Sequence, residues 1–210
     1  MNLKKNDVIL SAGMWRSGST LLFNVLREIL LSIPGYVIST GYATQTIFNK
    51  KADFYIVKLH YFTDYFLDKA DYIFYTYRDV RTSMVSAFRM FNEPIQFGNV
   101  CKNIENYYIA KEKGVLIKYE QLVQQPILVT KDILNTLGWT DILDASVIVR
   151  RAVSWRPPLQ DNMDSISLLH KNHFTNTGDD DWRTMIPLQM QKAISCEFRD
   201  WLLECGYPLE

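Results

Sequence analysis

The stretch that most constrains the fold of this chain is residues 13–20, which read Gly-Met-Trp-Arg-Ser-Gly-Ser-Thr. An apolar run at 8–12 leads into it, and apolar residues at helical spacing follow it as far as Leu30. This pattern is typical of a buried strand, a tight turn and an amphipathic helix in that order. We therefore expect a strand at about 7–12 and a helix at about 18–31, joined by a loop at which the helix begins.

The loop carries the chemistry of an anion site, because free backbone N–H groups and the helix dipole meet at a helix start. Ser17, Ser19 and Thr20 add hydroxyl donors, and Gly18 allows a tight turn. Arg16 adds a permanent charge on a planar guanidinium. The order is close to the Walker A loop, G-x-x-x-x-G-K-[ST], but Ser19 stands in the place of its lysine. We expect phosphate binding with the cation moved to Arg16; the alternative is a plain glycine turn.

Strand and helix signals alternate along the rest of the chain. The clearest strand is 72–77, where every residue is aromatic or β-branched, and further strands are expected at 54–59 and 115–119. This alternation predicts an α/β fold with a mainly parallel central sheet flanked by helices, like P-loop nucleotide-binding proteins, in a single domain over 1–210. Helices are expected at about 62–69, 79–91, 99–113, 126–137, 143–154 and 187–204, with 41–51 helical as well and 156–182 irregular.

Basic side chains stand where two of the predicted strands end, which is the edge at which parallel sheets bind ligands. Lys58 and His60 end the strand at 54–59, and their spacing of two puts both side chains on one face. His60 is therefore a candidate general base, and Lys58 is a candidate to hold charge on a leaving oxygen. A histidine that only makes a structural hydrogen bond is the alternative.

Arg78 ends the aromatic strand, and Ser86 follows it by eight residues on the next predicted helix. Together they form a candidate site for a second phosphate group. In the alternative interpretation, Arg78 pairs with Asp79 or with a carboxylate elsewhere, and Ser86 is a small packing residue. Arg81 and Arg89 are expected on a solvated helix face.

Composition excludes several classes of protein. The formal net charge is zero, whereas general nucleic-acid binders carry a basic excess, so nucleic acid is not expected as a partner. The cysteines, at Cys101, Cys196 and Cys205, have no metal-ligand spacing, so we expect free thiols, a reducing compartment and no metal site. No apolar stretch is long enough to span a bilayer, so a cytoplasmic protein without a membrane partner is expected.

These motifs resemble, in sequence and in order, those of the sulfotransferases that use 3′-phosphoadenosine 5′-phosphosulfate (PAPS). Residues 14–20 are similar to the family's 5′-phosphosulfate loop. Residues 77–86 are similar to its 3′-phosphate motif, in which a serine follows an arginine by eight positions. Residues 58–60 resemble the K-x-H of the cytosolic branch, whose histidine is the catalytic base. Weaker similarities lie at 117–122, to a Y-E-D-L segment, and at 181–183, to G-D-W-[KR].

The resemblance implies transfer of a sulfuryl group from PAPS to a hydroxyl or amine of a small-molecule or glycan acceptor. The product would be adenosine 3′,5′-bisphosphate (PAP), and no metal would be needed. It implies catalysis by His60, Lys58 and Arg16. It implies donor binding by the following residues: Arg16, Ser17, Gly18, Ser19, Thr20, Arg78 and Ser86.

One departure from the family's pattern concerns the 3′-phosphate. The family often has Arg-Lys-Gly upstream of its D-W pair, and this chain has Thr175-Asn176-Thr177 at that spacing. His170, Lys171 and His173 are candidates to replace the missing cations. Neither the acceptor nor the oligomeric state follows from the sequence.

Two other functions are compatible with the loop. A small ATP-dependent kinase would use Mg²⁺, but Ser19 stands in the lysine position and no strand ends in a metal-binding aspartate. A non-catalytic domain could bind a nucleotide or a partner, and the Lys58 and His60 pair speaks against it.

Overall fold

The computed structural model describes residues 4–44, 47–48, 51–92, 96–160, 162–171 and 182–209. Its strands are β1 (Asp7–Gly13), β2 (Ile38–Tyr42), β3 (Phe54–Leu59), β4 (Tyr72–Tyr77) and β5 (Val115–Lys118). The longer helices are α1 (Ser19–Leu31), α3 (Val80–Phe91), α4 (Phe97–Lys113), α6 (Pro126–Leu137), α7 (Ala145–Ser154) and α9 (Leu188–Glu197). The shorter ones are α2 (Asp64–Leu67), α5 (Tyr119–Gln124), α8 (Trp182–Met185) and α10 (Arg199–Glu204).

The five strands form one parallel sheet in the order β2-β3-β1-β4-β5. All seven residues of β1 are buried, as expected for a central parallel strand covered by helices on both faces. Its partners are β3, through pairs such as Ala12 with Leu59, and β4, through pairs such as Gly13 with Thr76. The predicted α/β class is confirmed, and within the described residues the sheet is wholly parallel.

Apolar residues alternate along β1 and separate the core into two layers. Ile9 belongs to the layer shared with α1, α6 and α7, whereas its neighbour Leu10 belongs to the layer shared with α4 and α10. This is the period of two that places successive side chains on opposite faces of a sheet. Since helices cover both faces, the carboxyl edge of the sheet stays available for a ligand.

Several boundaries differ from the expectations. The helix expected over 41–51 is wrong at its start, where Gly41 and Tyr42 complete β2; residues 45–46 and 49–50 lie outside the described ones. Strand β2 escaped prediction because an edge strand pairs on one side only and carries polar residues and a glycine. The helix expected over 187–204 is two helices that meet at Phe198, with φ −111° and ψ 26°. Helix α2 is shorter than its expected range, and α5 was not foreseen.

The prediction that Arg81 lies on a solvated helix face is wrong, because its side chain is wholly buried. Its Nη2 lies 2.6 Å from Asp79 Oδ2 and donates to the Pro208 carbonyl at 2.5 Å. Its guanidinium carbon lies 3.8 Å from the ring centre of Trp182. The Asp79 side chain also accepts a bond from the Arg81 backbone N–H and so caps α3. Arg81 therefore fastens the C-terminal residues and Trp182 to the start of α3.

Other sequence-based expectations concern thiols and membranes. Cys101, Cys196 and Cys205 are all free thiols, as expected. Among the described residues, none of the helices combines the length and apolar character that crossing a membrane requires.

Candidate functional site

All five strands contribute a residue, at or just beyond their carboxyl ends, to one cavity of about 610 Å³. The β1 loop, residues 14–18, follows the central strand β1. The neighbouring strands β3 and β4 bring Lys58 and Arg78 to the same edge of the sheet. The outer strands β2 and β5 add Tyr42 and Tyr119. The parallel topology therefore brings together side chains that are more than 100 residues apart in the sequence.

Backbone geometry in the β1 loop depends on Gly18, which caps α1 with φ 81°. A Cβ atom at Gly18 would lie 3.1 Å from the Tyr119 ring and 3.3 Å from a methyl group of Leu122. Arg16 also has a positive φ, 59°, which is uncommon outside glycine. No side-chain hydrogen bond from Gly18 caps the start of α1, and the first two residues of the helix, Ser19 and Thr20, line the cavity.

Ser17 differs from the other predicted loop residues, because it is wholly buried behind the loop and does not line the cavity. Its hydroxyl lies 2.7 Å from the Met14 carbonyl oxygen and 2.7 Å from the Thr76 hydroxyl. These contacts join the loop to the end of β4. The Ser17 side chain therefore holds the loop in place.

Three basic side chains, Arg16, Lys58 and Arg78, converge on the cavity. Burial and the nearby Arg78 charge lower the pKa of Arg16 to about 10. Burial and the Arg16 charge lower the pKa of Lys58 to about 7, and its ammonium donates to the Thr20 hydroxyl. The guanidinium of Arg78 lies 4.1 Å from the ring centre of Tyr119. Buried cations that repel one another in this way bind a polyanion with a favourable change in electrostatic energy.

Ser86 and Arg78 both line the cavity, but in this structure Ser86 contacts a different arginine. The Arg16 Nε donates to the Ser86 hydroxyl at 3.0 Å, and the Arg16 Nη1 lies 2.9 Å from the Met90 sulfur. Both carboxylate oxygens of Asp79 bind Arg81. The two predicted phosphate positions are thus neighbours joined through Arg16.

His60 has the geometry of a neutral base. Its Nδ1 lies 2.8 Å from the Gly13 carbonyl oxygen, which can only accept, so Nδ1 carries the proton and Nε2 keeps its lone pair. Burial, with the charges of Lys58 and Arg16, lowers the pKa of His60 to about 3. The bond to Gly13 opposes this shift without cancelling it. His60 is therefore neutral over the whole physiological pH range, and its titration lies below the range of an unperturbed imidazole.

Aromatic residues pack around His60. The Trp15 ring centre lies 5.9 Å from that of His60, and the Tyr42 ring centre lies 6.1 Å from it. Phe91 packs against Trp15 with a centroid distance of 6.2 Å. Together with Met90 they add an apolar wall to the cavity lining.

Several lining residues escaped the sequence analysis as site residues. Tyr119 lies in the segment at 117–122 whose resemblance was noted, and that similarity was the available signal. Asn24, Trp155 and Leu169 carried no signal, because nothing in their local sequence distinguishes them from core residues. His170 was a candidate only for the 3′-phosphate, and it lines the cavity, whereas Lys171 is exposed.

The remaining candidate at the 3′-phosphate, His173, lies outside the described residues, as do 175–177 and Asp181. Among the residues that the structure does describe, no cluster of three or more histidine, cysteine or acidic residues could hold a metal ion.

The described lining of the cavity fits a nucleotide with several negative charges. It includes three basic side chains and the start of α1, and it includes no acidic residue. Burial and repulsion from a neighbouring cation lower the pKa of Arg16 and Lys58, and a bound anion would offset both effects. The residues present therefore fit a polyanionic nucleotide such as PAPS or PAP.

Comparisons with known proteins agree at the level of the fold. The chain is similar to mouse sulfotransferase SULT7A1 complexed with PAP, with a TM-score of 0.64 and 17% identity over 96% of this chain and 86% of that one. It is also similar to retinol dehydratase in complexes with PAP and either retinol or androsterone, with a TM-score of 0.59 and 15% identity in each case. Those matches cover 96% of this chain and 82% of the other.

No family model and no curated protein matches the sequence. The resemblance inferred from the motifs is nevertheless confirmed in three dimensions. This chain has the sulfotransferase fold.

Proposed function

We propose that this protein is a sulfotransferase that uses PAPS as its donor and transfers a sulfuryl group to a hydroxyl or amine of an acceptor. One observation carries the proposal: a neutral histidine lines a cavity together with Arg16, Lys58 and Arg78, and the part of the lining that the structure describes has no acidic residue. Proteins that share the fold have been solved with PAP, which is the product of such a donor. We also propose that 1–210 form one sulfotransferase-like domain. The cytoplasmic location stays a prediction.

Arg16, Lys58 and the first turn of α1 would bind the donor's 5′ end, and Arg78 with Ser86 would bind its 3′-phosphate. When bound, PAPS supplies an activated sulfuryl group whose bond to the phosphate breaks as the acceptor bond forms. Lys58 and Arg16 stabilise the charge that develops on the leaving oxygen, because they are already fixed and partly desolvated. Ser17 keeps the loop in position through Met14 and Thr76.

His60 would accept the proton of the acceptor hydroxyl or amine at Nε2. The Gly13 carbonyl fixes the tautomer that leaves Nε2 unprotonated. The low pKa means that His60 is a weak base in the free protein, and the nearby cations cause part of this weakness. Negative charge bound beside Lys58 and Arg16 offsets their repulsion and raises the basicity of His60.

The apolar wall formed by Trp15, Tyr42, Met90 and Phe91 favours small, flat, apolar acceptors over glycans. A sugar presents many hydroxyl groups that need hydrogen-bond partners, and an aromatic wall leaves them unpaired. The exposed fractions of Tyr42 and Phe91, 40% and 45%, indicate contact area that an acceptor ring can cover.

Single-turnover transfer to a phenol, followed by mass spectrometry of the product, tests the proposal. His60→Asn keeps an amide donor for the Gly13 carbonyl but lacks a base. We expect it to lower the transfer rate by about 10²-fold or more and to leave PAP affinity nearly unchanged. Transfer at the wild-type rate would show that another residue is the base.

An ATP-dependent kinase is the less favoured alternative function. Phosphoryl transfer from ATP requires carboxylates that hold Mg²⁺, and the described cavity lining contains none. A thermal-shift comparison separates the two functions, since PAP alone should raise the melting temperature of a sulfotransferase and ATP with Mg²⁺ that of a kinase. A non-catalytic nucleotide-binding domain would bind PAP and give no sulfated product.

A further inference from the structure

Residues 162–171 form a structured turn, although the sequence predicted an irregular segment there. The turn is built on Asp164, whose Oδ1 accepts bonds from the Ser167 backbone N–H at 2.6 Å and from its hydroxyl at 2.7 Å. The Asp164 N–H donates to the Leu169 carbonyl at 2.9 Å, and the Leu168 N–H donates to the Asp164 carbonyl at 2.9 Å. The hydrogen bonds from Ser167 lower the pKa of Asp164, so its carboxylate is charged at neutral pH and accepts both of them.

The turn is fastened to α1, the helix whose start forms the anion loop. Asn24 of α1 donates from Nδ2 to the Ser167 carbonyl at 3.0 Å and to the Thr20 carbonyl at 2.9 Å. Ser167 is wholly buried, and Leu168 packs into the core layer that contains α1. The position of the turn is therefore set by the same helix turn that lines the cavity.

His170 follows this anchored turn and lines the cavity. Burial lowers its pKa first, and the charges of Lys58 and Arg16 lower it further. Arg16 and Lys58 line the same cavity as His170. Asn24, which holds the turn, also binds the carbonyl of Thr20, and the Thr20 hydroxyl accepts a bond from Lys58. The next residue, Lys171, is exposed and is not part of the lining.

We propose that His170 is a specificity-determining residue of the donor site, where its imidazole contacts the anionic group that Arg16 and Lys58 bind. This inference rests on the proposed function and assigns His170 to the 5′ end of the nucleotide. The sequence analysis had offered it for the 3′-phosphate. A neutral imidazole supplies one N–H donor to an anion, and the anion makes protonation of the ring more favourable.

Calorimetric titration with adenosine 3′,5′-bisphosphate, adenosine 5′-monophosphate and adenosine 3′-monophosphate tests the assignment. His170→Ala should weaken binding of both ligands that carry a 5′-phosphate by about tenfold, as expected when one hydrogen bond to a charged group is lost. Binding of the 3′-monophosphate should not change. Lys171→Ala is the matched control, because it removes a basic side chain one residue away that is outside the cavity, and it should bind all three like wild type.

The outcomes separate this inference from the function on which it rests. Wild-type binding of the bisphosphate, with His170→Ala equal to wild type, would overturn the assignment of His170 alone. Weaker binding of the 3′-monophosphate would overturn its placement at the 5′ end. A wild type that binds none of the three would overturn the proposed function and this inference together. If His170→Ala unfolds at a lower temperature, His170→Gln, which keeps a polar side chain, carries the same comparison.

Discussion

Gly18→Ala tests whether the backbone of the β1 loop sets the geometry of the anion site. Residue 18 has φ 81°, a region that costs an L-amino acid about 1 kcal/mol or slightly more. The new Cβ would lie 3.1 Å from the Tyr119 ring and 3.3 Å from Leu122, so both neighbours must move by a few tenths of an ångström. Overpacking of this kind adds about 1 kcal/mol or more. We therefore expect Gly18→Ala to lower the free energy of unfolding by about 2–3 kcal/mol.

Gly35→Ala is the matched control for this substitution. Gly35 has φ 88°, but a Cβ there would meet no atom within 4 Å. It should therefore show the backbone cost alone, about 1 kcal/mol. Urea denaturation of both variants and wild type measures the difference, which for a chain of this size corresponds to a few degrees in melting temperature, about 2–4 °C per kcal/mol.

Gly18→Ala should also affect PAP binding, because the Tyr119 ring packs against Arg78. The guanidinium carbon of Arg78 lies 4.1 Å from the ring centre of Tyr119. A ring displaced by the new methyl group shifts Arg78, so we expect Gly18→Ala to bind PAP more weakly and Gly35→Ala to bind it like wild type. Calorimetric titration with PAP gives this readout. Equal stability and equal PAP affinity in the two variants would refute the argument that Gly18 shapes the site.

Three more predictions concern charges at and near the site. The folded-state pKa of His60, about 3, lies below its unfolded value of about 6.5, so its stabilising effect is full above pH 6.5 and is lost as the pH falls towards 3. Wild type should therefore lose about 2 kcal/mol through this group between pH 6.5 and pH 5, and His60→Asn should not, as urea denaturation at each pH would show. Arg78→Ala should remove most of the preference for adenosine 3′,5′-bisphosphate over adenosine 5′-monophosphate in calorimetric titrations; a wild type without that preference contradicts the 3′-phosphate assignment. Arg81→Ala should destabilise the fold by about 3–5 kcal/mol, because it leaves the buried Asp79 without its partner. The control Arg89→Ala removes an exposed arginine of the same helix and should cost less than about 0.5 kcal/mol. Similar midpoints of urea denaturation for the two variants would be evidence against the buried pair.

The sequence predicted those features that leave a local pattern. The β1 loop was recognisable because strand, glycine turn and helix follow within about 25 residues, and Lys58 and His60 because they end an apolar strand. Strand β2 was missed because it is an edge strand with little apolar content, so burial imposes no strong pattern on it.

Other features depended on contacts between distant parts of the chain. Arg81 looked like a surface residue, and only the approach of Pro208 and Trp182 makes its site a buried one. Ser17 shares a motif with Ser19, yet Thr76, 59 residues away, draws its hydroxyl behind the loop. His170 reaches the cavity because Asn24 holds its turn from 143 residues away, through Ser167. Residue type alone does not encode such long-range partners.

The convergence of five strand ends on one cavity has a consequence for folding kinetics. In a partly folded chain where β1 has paired only with β3, Arg78 is not yet at the cavity. Where β1 has paired only with β4, Lys58 is not yet there. Neither partly paired chain contains the complete set of cations, so a polyanionic ligand recognises only the chain with both pairings formed. We expect PAP to slow unfolding strongly and to change the refolding rate little, because stabilisation confined to the native state appears in the unfolding rate.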